Sequence, residues 1–220
     1  MINAIHKEKG MRLNYQKEKS EMIECLKQFP WDSKRAVGDY LAQTYYYVRH
    51  SEKFLALAAG LMDDGDRKYQ KRFLQHLSEE NAHDLMVKKD LENLGYFLED
   101  FPERAETRMF WETQYFKIEH EDPMILMGYI LLLEDVASEV CSFLAEKICQ
   151  HHSKKASTFL RVHGEEDPHH VTEALGVIDS LSEVRQKLVY ANLLQSQKAY
   201  QRMIQAIREN SVEDFSTIAA

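Results

Sequence analysis

Six residues in three clusters of the sequence have the types and the spacing of metal ligands. The clusters are an E-x-x-H pair, a lone glutamate and an H-x-x-x-D-x-x-H triplet, and their members are Glu80, His83, Glu134, His163, Asp167 and His170. Three imidazoles together with three carboxylates form a ligand set that suits one or two iron ions. The sequence therefore predicts a metal centre capable of redox chemistry, and helices must bring the three clusters together.

The E-x-x-H pair falls on an apolar stripe of a predicted helix over residues 67–94. Phe73, Glu80 and Val87 recur every seven residues, so the Glu80 carboxylate faces the core with its apolar neighbours. His83 lies three residues further on and can reach the same point. Because E-x-x-H pairs also arise by chance, a partly exposed acid beside a core histidine stays open as the alternative.

Glu134 interrupts an apolar stretch of another predicted helix. It follows the run I-L-L-L at residues 130–133, and its neighbours one and two turns away are apolar. A buried carboxylate is costly unless a metal, a cation or a proton compensates it. The sequence predicts a metal at this position, and the alternative is a salt bridge to Arg161 or Arg185 from another helix.

The triplet has the spacing i, i+4, i+7, which places all three side chains on one face of an uninterrupted helix. Gly164 and Pro168 lie inside this segment and predict a break between His163 and the other two members. With such a break, Asp167 has an alternative role as the N-cap of the restarted helix. Capping and metal binding do not exclude each other, since a carboxylate has two oxygens.

A competing assignment follows the ligand order of ferritin-like proteins. It uses a lone glutamate, an E-x-x-H pair, a second glutamate and a second E-x-x-H pair, namely Glu52, Glu80, His83, Glu134, Glu166 and His169. We rank this set lower because Pro168 falls inside its second E-x-x-H pair and the neighbours of Glu52 are polar.

Composition and charge exclude several functional classes. The chain has 220 residues and a net charge of −8 without a basic block, so nucleic-acid binding has no electrostatic support. The N-terminal residues lack the apolar region of a signal peptide, and no apolar run is long enough to cross a membrane. Three cysteines without a C-x-x-C motif predict reduced thiols, namely Cys25, Cys141 and Cys149. We therefore expect a cytoplasmic protein.

Scarce glycine and proline together with helical periodicity predict a single all-α domain, a bundle of about seven helices over residues 1–220. The predicted tails, 1–12 and 211–220, are expected to be loose. The predicted helices cover residues 14–28, 33–62, 67–94, 101–120, 124–151, 153–163 with a restart at 167, and 182–210.

Three motifs in this order resemble the haem-oxygenase-like di-iron oxidases and oxygenases, which are iron-containing redox enzymes. The motifs are L-S-E-E-N-A-H, G-Y-I-L-L-L-E-D and F-L-R-V-H-G-E-E-D-P-H-H. The resemblance implies a fold similar to TenA thiaminases and the PQQ-synthesis oxidase. It also implies that the six residues named first bind two irons, with Glu134 as the bridging carboxylate. Manganese stays open as the metal. Haem is not expected, because the fifth predicted helix carries only Gly128 where a haem oxygenase has a glycine-rich helix.

The expected activity is that of a non-haem di-iron oxidoreductase, with O2 and a small-molecule substrate as its partners. No nucleic acid or membrane partner is expected, and a homodimer stays open. Beyond the metal ligands the sequence assigns no catalytic residue, although Tyr45 and Cys141 are candidates. The run Tyr45–Tyr47 near the iron could be oxidised, or it could simply pack in the core. The alternative functions are a metal-free TenA-like enzyme that uses Cys141, and a non-enzymatic helical module that binds a partner through an acidic face.

Overall fold

The structure is a computed structural model that describes the backbone of residues 2–218 and the side chains of residues 15–209. Within residues 2–218 it contains nine α-helices joined by loops and short 3-10 turns, and no strand, which confirms the all-α prediction. The helices are α1 Ile2–Lys27, α2 Lys34–Val48, α3 Ser51–Leu61, α4 Arg67–Glu79, α5 His83–Asn93, α6 Ala105–His120, α7 Leu126–His151, α8 Thr158–Asp179 and α9 Glu183–Ile218. The tails predicted at 1–12 and 211–220 lie outside the residues whose side chains are described, so that prediction stays a prediction.

Several helix ends follow the capping signals of the sequence. The Ser33 side chain accepts a hydrogen bond from the Ala36 amide at the start of α2. Asp122 accepts one from the Met124 amide at the 3-10 turn that leads into α7. Gly95 has a φ of +80° directly after α5, a conformation that glycine adopts without strain. These local signals fixed the helix ends that the sequence predicted.

Two of the predicted helices are each divided into two shorter helices. The nine helices within residues 2–218 therefore correspond to the seven predicted ones. The helix predicted over 33–62 is divided into α2 and α3 at Arg49 and His50. The helix predicted over 67–94 is divided into α4 and α5 by residues 80–82, where Ala82 has a left-handed φ of 64°. A left-handed alanine is strained, and apolar periodicity carries no sign of such a turn.

The break predicted between His163 and Asp167 is wrong. Helix α8 continues through Pro168 to Asp179, and Asp167 lies inside it rather than at an N-cap. Gly164 serves helix packing, because a Cβ there would lie 2.6 Å from the Ser142 hydroxyl oxygen on α7. Pro168 is exposed, so its ring meets solvent instead of a neighbouring helix.

Helix α7 is the centre of the bundle. It contacts α1, α3, α6, α8 and α9, and every residue from Leu126 to Leu132 is buried. The backbone of α9 approaches it closely at Gly128, where a Cβ would lie 2.2 Å from the carbonyl oxygen of Val189. Burial on all sides is expected for these first turns, which are hydrophobic around the whole circumference, whereas the later turns of α7 expose Glu139 and Glu146. No helix in the described part of the chain is both long enough and apolar enough to cross a bilayer.

Candidate metal centre

Four elements carry the predicted ligands to one place beside α7. Glu80 is the C-cap of α4, and His83 is the first residue of α5. Glu134 lies on α7, while His163, Asp167 and His170 share the face of α8 that packs toward it. The turn between α4 and α5 is held by Glu52, whose Oε1 accepts a hydrogen bond from the Ala82 amide at 3.1 Å. The structure therefore brings the three sequence clusters together.

The first trio consists of Glu80, His83 and His163. One potential ligand atom from each lies within 4.8 Å of the others. His83 Nδ1 is 3.3 Å from Glu80 Oε2, and the His83 and His163 rings are 4.9 Å apart. All three side chains are largely buried. The geometry suits one metal ion.

The second trio consists of Glu134, Asp167 and His170. His170 Nδ1 is 3.9 Å from Glu134 Oε1 and 3.4 Å from Asp167 Oδ1. Asp167 also faces the first trio, since its oxygens lie 3.1 and 3.2 Å from His163 Nδ1. The two trios are therefore adjacent. Among the described residues, only the first has one ligand atom from each member within 4.8 Å of the others, whereas Glu134 and Asp167 of the second are linked through His170.

Sequence reasoning missed His76, which is buried between the two trios. Its Nε2 is 3.5 Å from Glu80 Oε1 and 3.6 Å from Glu134 Oε1. The other oxygen of Glu80 faces His83, so the Glu80 carboxylate lies between two imidazoles. The resemblance implied Glu134 as the bridging carboxylate, whereas these contacts favour Glu80. The position of His76, four residues before Glu80 on the same helical face, was the available signal.

Several donor atoms of the two trios are buried and have no hydrogen-bond partner in the part of the chain that the structure describes. They are both oxygens of Glu134, Nδ1 of His83, Nε2 of His163 and Nδ1 of His170. Buried polar atoms in folded proteins are normally hydrogen-bonded. Ligand atoms about 2.1 Å from one first-row metal lie roughly 3.0 to 3.4 Å from each other, close to the shorter separations observed here. The unpartnered nitrogen and oxygen atoms therefore fit iron, which accepts mixed imidazole and carboxylate ligands.

The crowded carboxylates perturb one another. Burial raises the pKa of Glu134 well above its usual value, and the charges of Asp167 and Glu80 raise it further. Burial also opposes ionisation of Glu80, but the neighbouring imidazoles of His76 and His83 outweigh it, so the pKa of Glu80 is lowered. The Asp167 carboxylate raises the pKa of His170. A shared cation would relieve the repulsion among these acids.

The alternative salt bridges for Glu134 do not form. Arg185 binds Asp66 and Asp122 at the other end of α7, with Nη1–Oδ1 and Nε–Oδ2 distances of 2.5 and 2.8 Å. Within the described residues, the ion contacts of Glu134 are the imidazoles of His76 and His170, and Arg161 makes none with it. No guanidinium therefore compensates this carboxylate directly.

The competing ferritin-like assignment fails because Glu52, Glu166 and His169 lie away from the other ligands. Glu166 is exposed on the outer side of α8. His169 is 77% exposed and lies 3.4 Å from Glu173 instead of the other carboxylates. Glu52 caps the turn at Ala82, as described above. The ordinary helical continuity of α8, which the sequence did not predict, turns His170 inward and His169 outward.

A cavity of about 80 Å³ adjoins both trios. One wall contains His76, Glu80, Glu134, His163 and Asp167, and none of the lysines and arginines among residues 15–209 lines the cavity. The remaining wall is apolar and aromatic, formed by Tyr40, Tyr47, Val48, Ser51, Phe54, Leu55, Leu126, Tyr129, Ile130, Leu132, Leu133, Val136, Ala137, Val140, Cys141, Phe159, Leu160 and Tyr200.

The two candidate catalytic residues differ in their relation to this cavity. Tyr45 does not line it; its ring packs against Tyr46 with centroids 5.7 Å apart. Cys141 does line it, and burial raises the pKa of its thiol. All three cysteines are unpaired, as the sequence predicted. The hydroxyl of Tyr129 is buried at the cavity wall without a hydrogen-bond partner, a feature that the sequence did not reveal.

Comparisons with known proteins agree with this architecture. The model of a family described as iron-containing redox enzymes matches residues 38–212. A domain of unknown function with a heme oxygenase-like fold from Shewanella denitrificans OS217 has a TM-score of 0.78 at 20% identity, over 89% of this chain and 90% of that one. A TenA homolog from Pseudomonas syringae pv. tomato DC3000 has a TM-score of 0.69 at 12% identity, over 90% and 92%.

A CadD-like protein of unknown function from Nostoc punctiforme PCC 73102 has a TM-score of 0.64 at 11% identity, covering 92% of this chain and 97% of that one. No curated protein matches the chain at a significant level. At these identities the likeness establishes the fold and leaves the activity to the site itself. The predicted haem-oxygenase-like fold is confirmed.

Proposed function

We propose, because the chain belongs to the family of iron-containing redox enzymes, that it is a non-haem di-iron oxidase or oxygenase. It would use O2 to oxidise a small organic substrate. The metal ligands would be the two trios, namely Glu80, His83, His163, Glu134, Asp167 and His170. Manganese is the alternative metal, since carboxylate and imidazole ligands also accept it.

The observation that carries the proposal is a set of buried donor atoms that have no hydrogen-bond partner among the described residues. The five atoms belong to Glu134, His83, His163 and His170, and Glu134 and His163 also line the cavity. A structural core has no use for five unsatisfied polar atoms, each of which opposes folding. A metal centre needs them, and the adjoining cavity offers space for a substrate.

The number of carboxylates in the two trios suits the charge of two divalent ions. Three carboxylates offset most of the four positive charges of two Fe(II) ions, and bound iron would supply the electrons for the reaction with O2. Glu134 has a raised pKa without metal, so it must lose its proton when a cation binds. Asp167 hydrogen-bonds Nδ1 of His163 and leaves Nε2 free as the donor atom.

The cavity determines what can react. Its wall away from the ligands is apolar, so it excludes water and favours an uncharged substrate portion. The unpartnered hydroxyl of Tyr129 stays protonated because burial raises its pKa well above the usual value. It can donate a hydrogen bond to an oxygen or nitrogen of the substrate. Positioning and exclusion of water are the contribution of the protein.

The metal-free TenA-like alternative receives less support. Its nucleophile would be Cys141, but burial and the nearby Asp167 charge raise the pKa of this thiol. A protonated thiol is a poor nucleophile. A binding module that uses an acidic surface would also leave the buried histidines and Glu134 without a role.

Rapid mixing with O2 tests the proposal. The protein is loaded anaerobically with two Fe(II) per chain and mixed with O2, while visible absorbance and O2 uptake are followed. We expect a transient absorption band and rapid O2 uptake, both lost in His163→Ala and both kept in His169→Ala, the exposed control on the same helix. Oxygen uptake no faster than that of free Fe(II), with no absorbance change, would reject the proposed activity.

A further inference from the structure

His76 is a buried histidine whose ring nitrogen faces two carboxylates of the proposed metal centre. It is 6% exposed and lies on α4, one helical turn before Glu80. Its Nε2 faces two carboxylate oxygens, Glu80 Oε1 at 3.5 Å and Glu134 Oε1 at 3.6 Å. Both distances exceed the length of an ordinary N–H···O hydrogen bond. The nitrogen therefore points at the same space as the unpartnered atoms of the two trios.

His76 and His170 have matching surroundings. The inner nitrogen of each ring faces the same atom, Glu134 Oε1, at 3.6 Å for His76 Nε2 and 3.9 Å for His170 Nδ1. The outer nitrogen of each ring faces Glu79 Oε2, and both distances are 3.9 Å. The two rings are neighbours, with centroids 5.6 Å apart. If one of them binds a metal through its inner nitrogen, the other is arranged to do the same.

The Glu79 carboxylate is held in place for this outer role. Arg72 Nη1 lies 3.1 Å from its Oε2, and the Gln75 amide donates to its Oε1 at 2.8 Å. Histidines that bind metals usually direct their second ring nitrogen at a carboxylate or carbonyl, which fixes the tautomer and the ring orientation. Glu79 faces the outer nitrogens of both histidines at 3.9 Å, which is longer than a hydrogen bond, so it is positioned near this arrangement without completing it.

We propose that His76 Nε2 is a further metal ligand, paired with His170 Nδ1 on the ion of the second trio, and that Glu79 positions both imidazoles. The inference rests on the proposed metal centre and extends its ligand set to four imidazoles and three carboxylates. Each ion would then have two imidazoles, because His83 and His163 serve the first trio. A neutral imidazole adds a donor to the second ion without adding negative charge to a crowded group of acids.

The competing explanation is that His76 only donates a hydrogen bond to the carboxylates once they hold metal. The variant His76→Gln separates the two roles. A glutamine NH2 group can donate a hydrogen bond from a similar position and is no metal ligand. A glutamine that turned its carbonyl oxygen to the metal would still remove one imidazole, which the count of imidazoles detects. If His76 only donates, His76→Gln keeps the centre; if His76 is a ligand, the variant loses one imidazole from it.

The first measurement counts coordinated imidazoles in the whole protein loaded with Co(II). Each coordinated histidine gives a strongly shifted proton NMR signal from its ring N–H that disappears in D2O. We expect four such signals in the wild type and three in His76→Gln. Three signals in the wild type would overturn the inference whatever the variant does, so the result does not depend on the variant's folding.

The second measurement is the Co(II) affinity of each site, from competition with a chelator. We expect His76→Gln to weaken the second ion by more than about 100-fold, beyond the roughly 10- to 100-fold cost of losing an outer partner. The first ion should change far less, and His169→Gln, the exposed control, should bind both ions normally. An affinity loss below about tenfold would reject His76 as a ligand.

The outcomes also separate this inference from the proposed activity. Two bound Co(II) ions with four imidazole signals, but no reaction of the Fe(II) protein with O2, would keep His76 as a ligand and reject the oxidase. A wild type that reacts with O2 and shows three signals would keep the oxidase and reject the role of His76. A wild type that binds no metal would overturn both.

Discussion

Glu134 is the single residue that best distinguishes the candidate metal centre from the apolar core around it. The carboxylate is buried on α7 without a hydrogen bond, and its surroundings raise its pKa. Sequence alone identified this residue because a charge inside an apolar helical run is anomalous. His76 escaped the same reasoning, because a histidine among polar residues on α4 has no such contrast in sequence. Only the fold reveals which nitrogen it points at the carboxylates.

Replacing Glu134 with glutamine should separate stability from metal binding. In the metal-free protein the raised pKa means that the folded state holds a proton that the unfolded state releases, so stability falls as pH rises above the usual glutamate range. Glu134→Gln removes this loss. We expect its unfolding free energy to exceed that of the wild type by about 1 to 2 kcal/mol at pH 8 and by less at pH 5.

Urea unfolding of both metal-free proteins at the two pH values measures this difference. The same variant should bind the second metal ion poorly, which an Fe(II) titration would show. A variant that is equally destabilised at both pH values would mean that the carboxylate contributes to folding rather than to a site.

His50 gives a second pH dependence, away from the proposed ligands. Burial, followed by the charges of Arg49 and Lys53, lowers its pKa to about 4. The ring stacks on Trp111 at 3.8 Å, and its Nδ1 lies 2.9 Å from the Tyr115 hydroxyl. The folded state keeps this ring neutral at a pH where the unfolded chain protonates it.

The wild type should therefore lose stability as pH falls from about 6.5 toward 4. We expect the loss between pH 7 and 4.5 to be about 1 to 2 kcal/mol smaller in His50→Gln, in which no ring can be protonated. Chemical unfolding of the metal-free proteins at both pH values supplies the numbers. Identical pH profiles for the two proteins would show that the pKa of His50 is the same in the folded and unfolded states, against this expectation.

At the scale of elements, the helices were predictable and their interruptions were not. Apolar periodicity extends through residues 80–82, yet the chain turns there with a left-handed Ala82 and sets Glu80 beside His83. In α8 the opposite happened, since Gly164 and Pro168 are local breakers inside a helix that tertiary packing keeps continuous. The helix propensity of single residues is weak compared with packing against a central helix. This packing cannot be derived from one sequence.

Pro168 should make α8 less stable than a residue with a backbone amide would at the same position. It removes the amide that would bond to the carbonyl one turn earlier, and its ring crowds that carbonyl. Because the residue is exposed, alanine fits without any other change. We expect Pro168→Ala to raise the unfolding free energy of the metal-free protein by about 1 to 3 kcal/mol.

Hydrogen exchange provides a local measure of the same effect. The amides of α8 around His163 and Asp167 should exchange more slowly in Pro168→Ala than in the wild type. Faster exchange in this segment, or a lower unfolding free energy, would mean that proline stabilises the helix, for example through the unfolded state.

At the scale of the whole molecule, α7 organises both the fold and the site. It carries Glu134, packs against α8 with its three ligand candidates, and contacts α9 so closely that Gly128 has no room for a side chain. The sequence predicted the all-α class, the bundle of about seven helices and the haem-oxygenase-like fold, because helix length and motif order are encoded locally. The cavity and its lining were not predictable, since they depend on how distant helices meet.

The close contact between α7 and α9 has a simple test. A Cβ on Gly128 would lie 2.2 Å from Val189 O and 2.8 Å from Leu193 N, both backbone atoms that only a helix shift can move. We expect Gly128→Ala to lower the unfolding free energy by about 3 kcal/mol. Gly60→Ala is the matched control, because nothing lies within 4 Å of a Cβ there.

Thermal and urea unfolding of the two variants measure the difference. The control should be slightly more stable than the wild type, by about 0.5 to 1 kcal/mol, since alanine favours a helix. Equal stabilities for Gly128→Ala and the wild type would show that α9 can move away from α7 without cost.

The proposed di-iron function requires that side chains from α4, α5, α7 and α8 jointly hold two metal ions. An anaerobic Fe(II) titration of the purified full chain, with the bound iron counted per chain at equilibrium, tests it most directly. We expect saturation at two Fe(II) per chain in the wild type and a lower count in Glu134→Gln. Saturation below two in the wild type, or a full two in the variant with unchanged affinity, would contradict it.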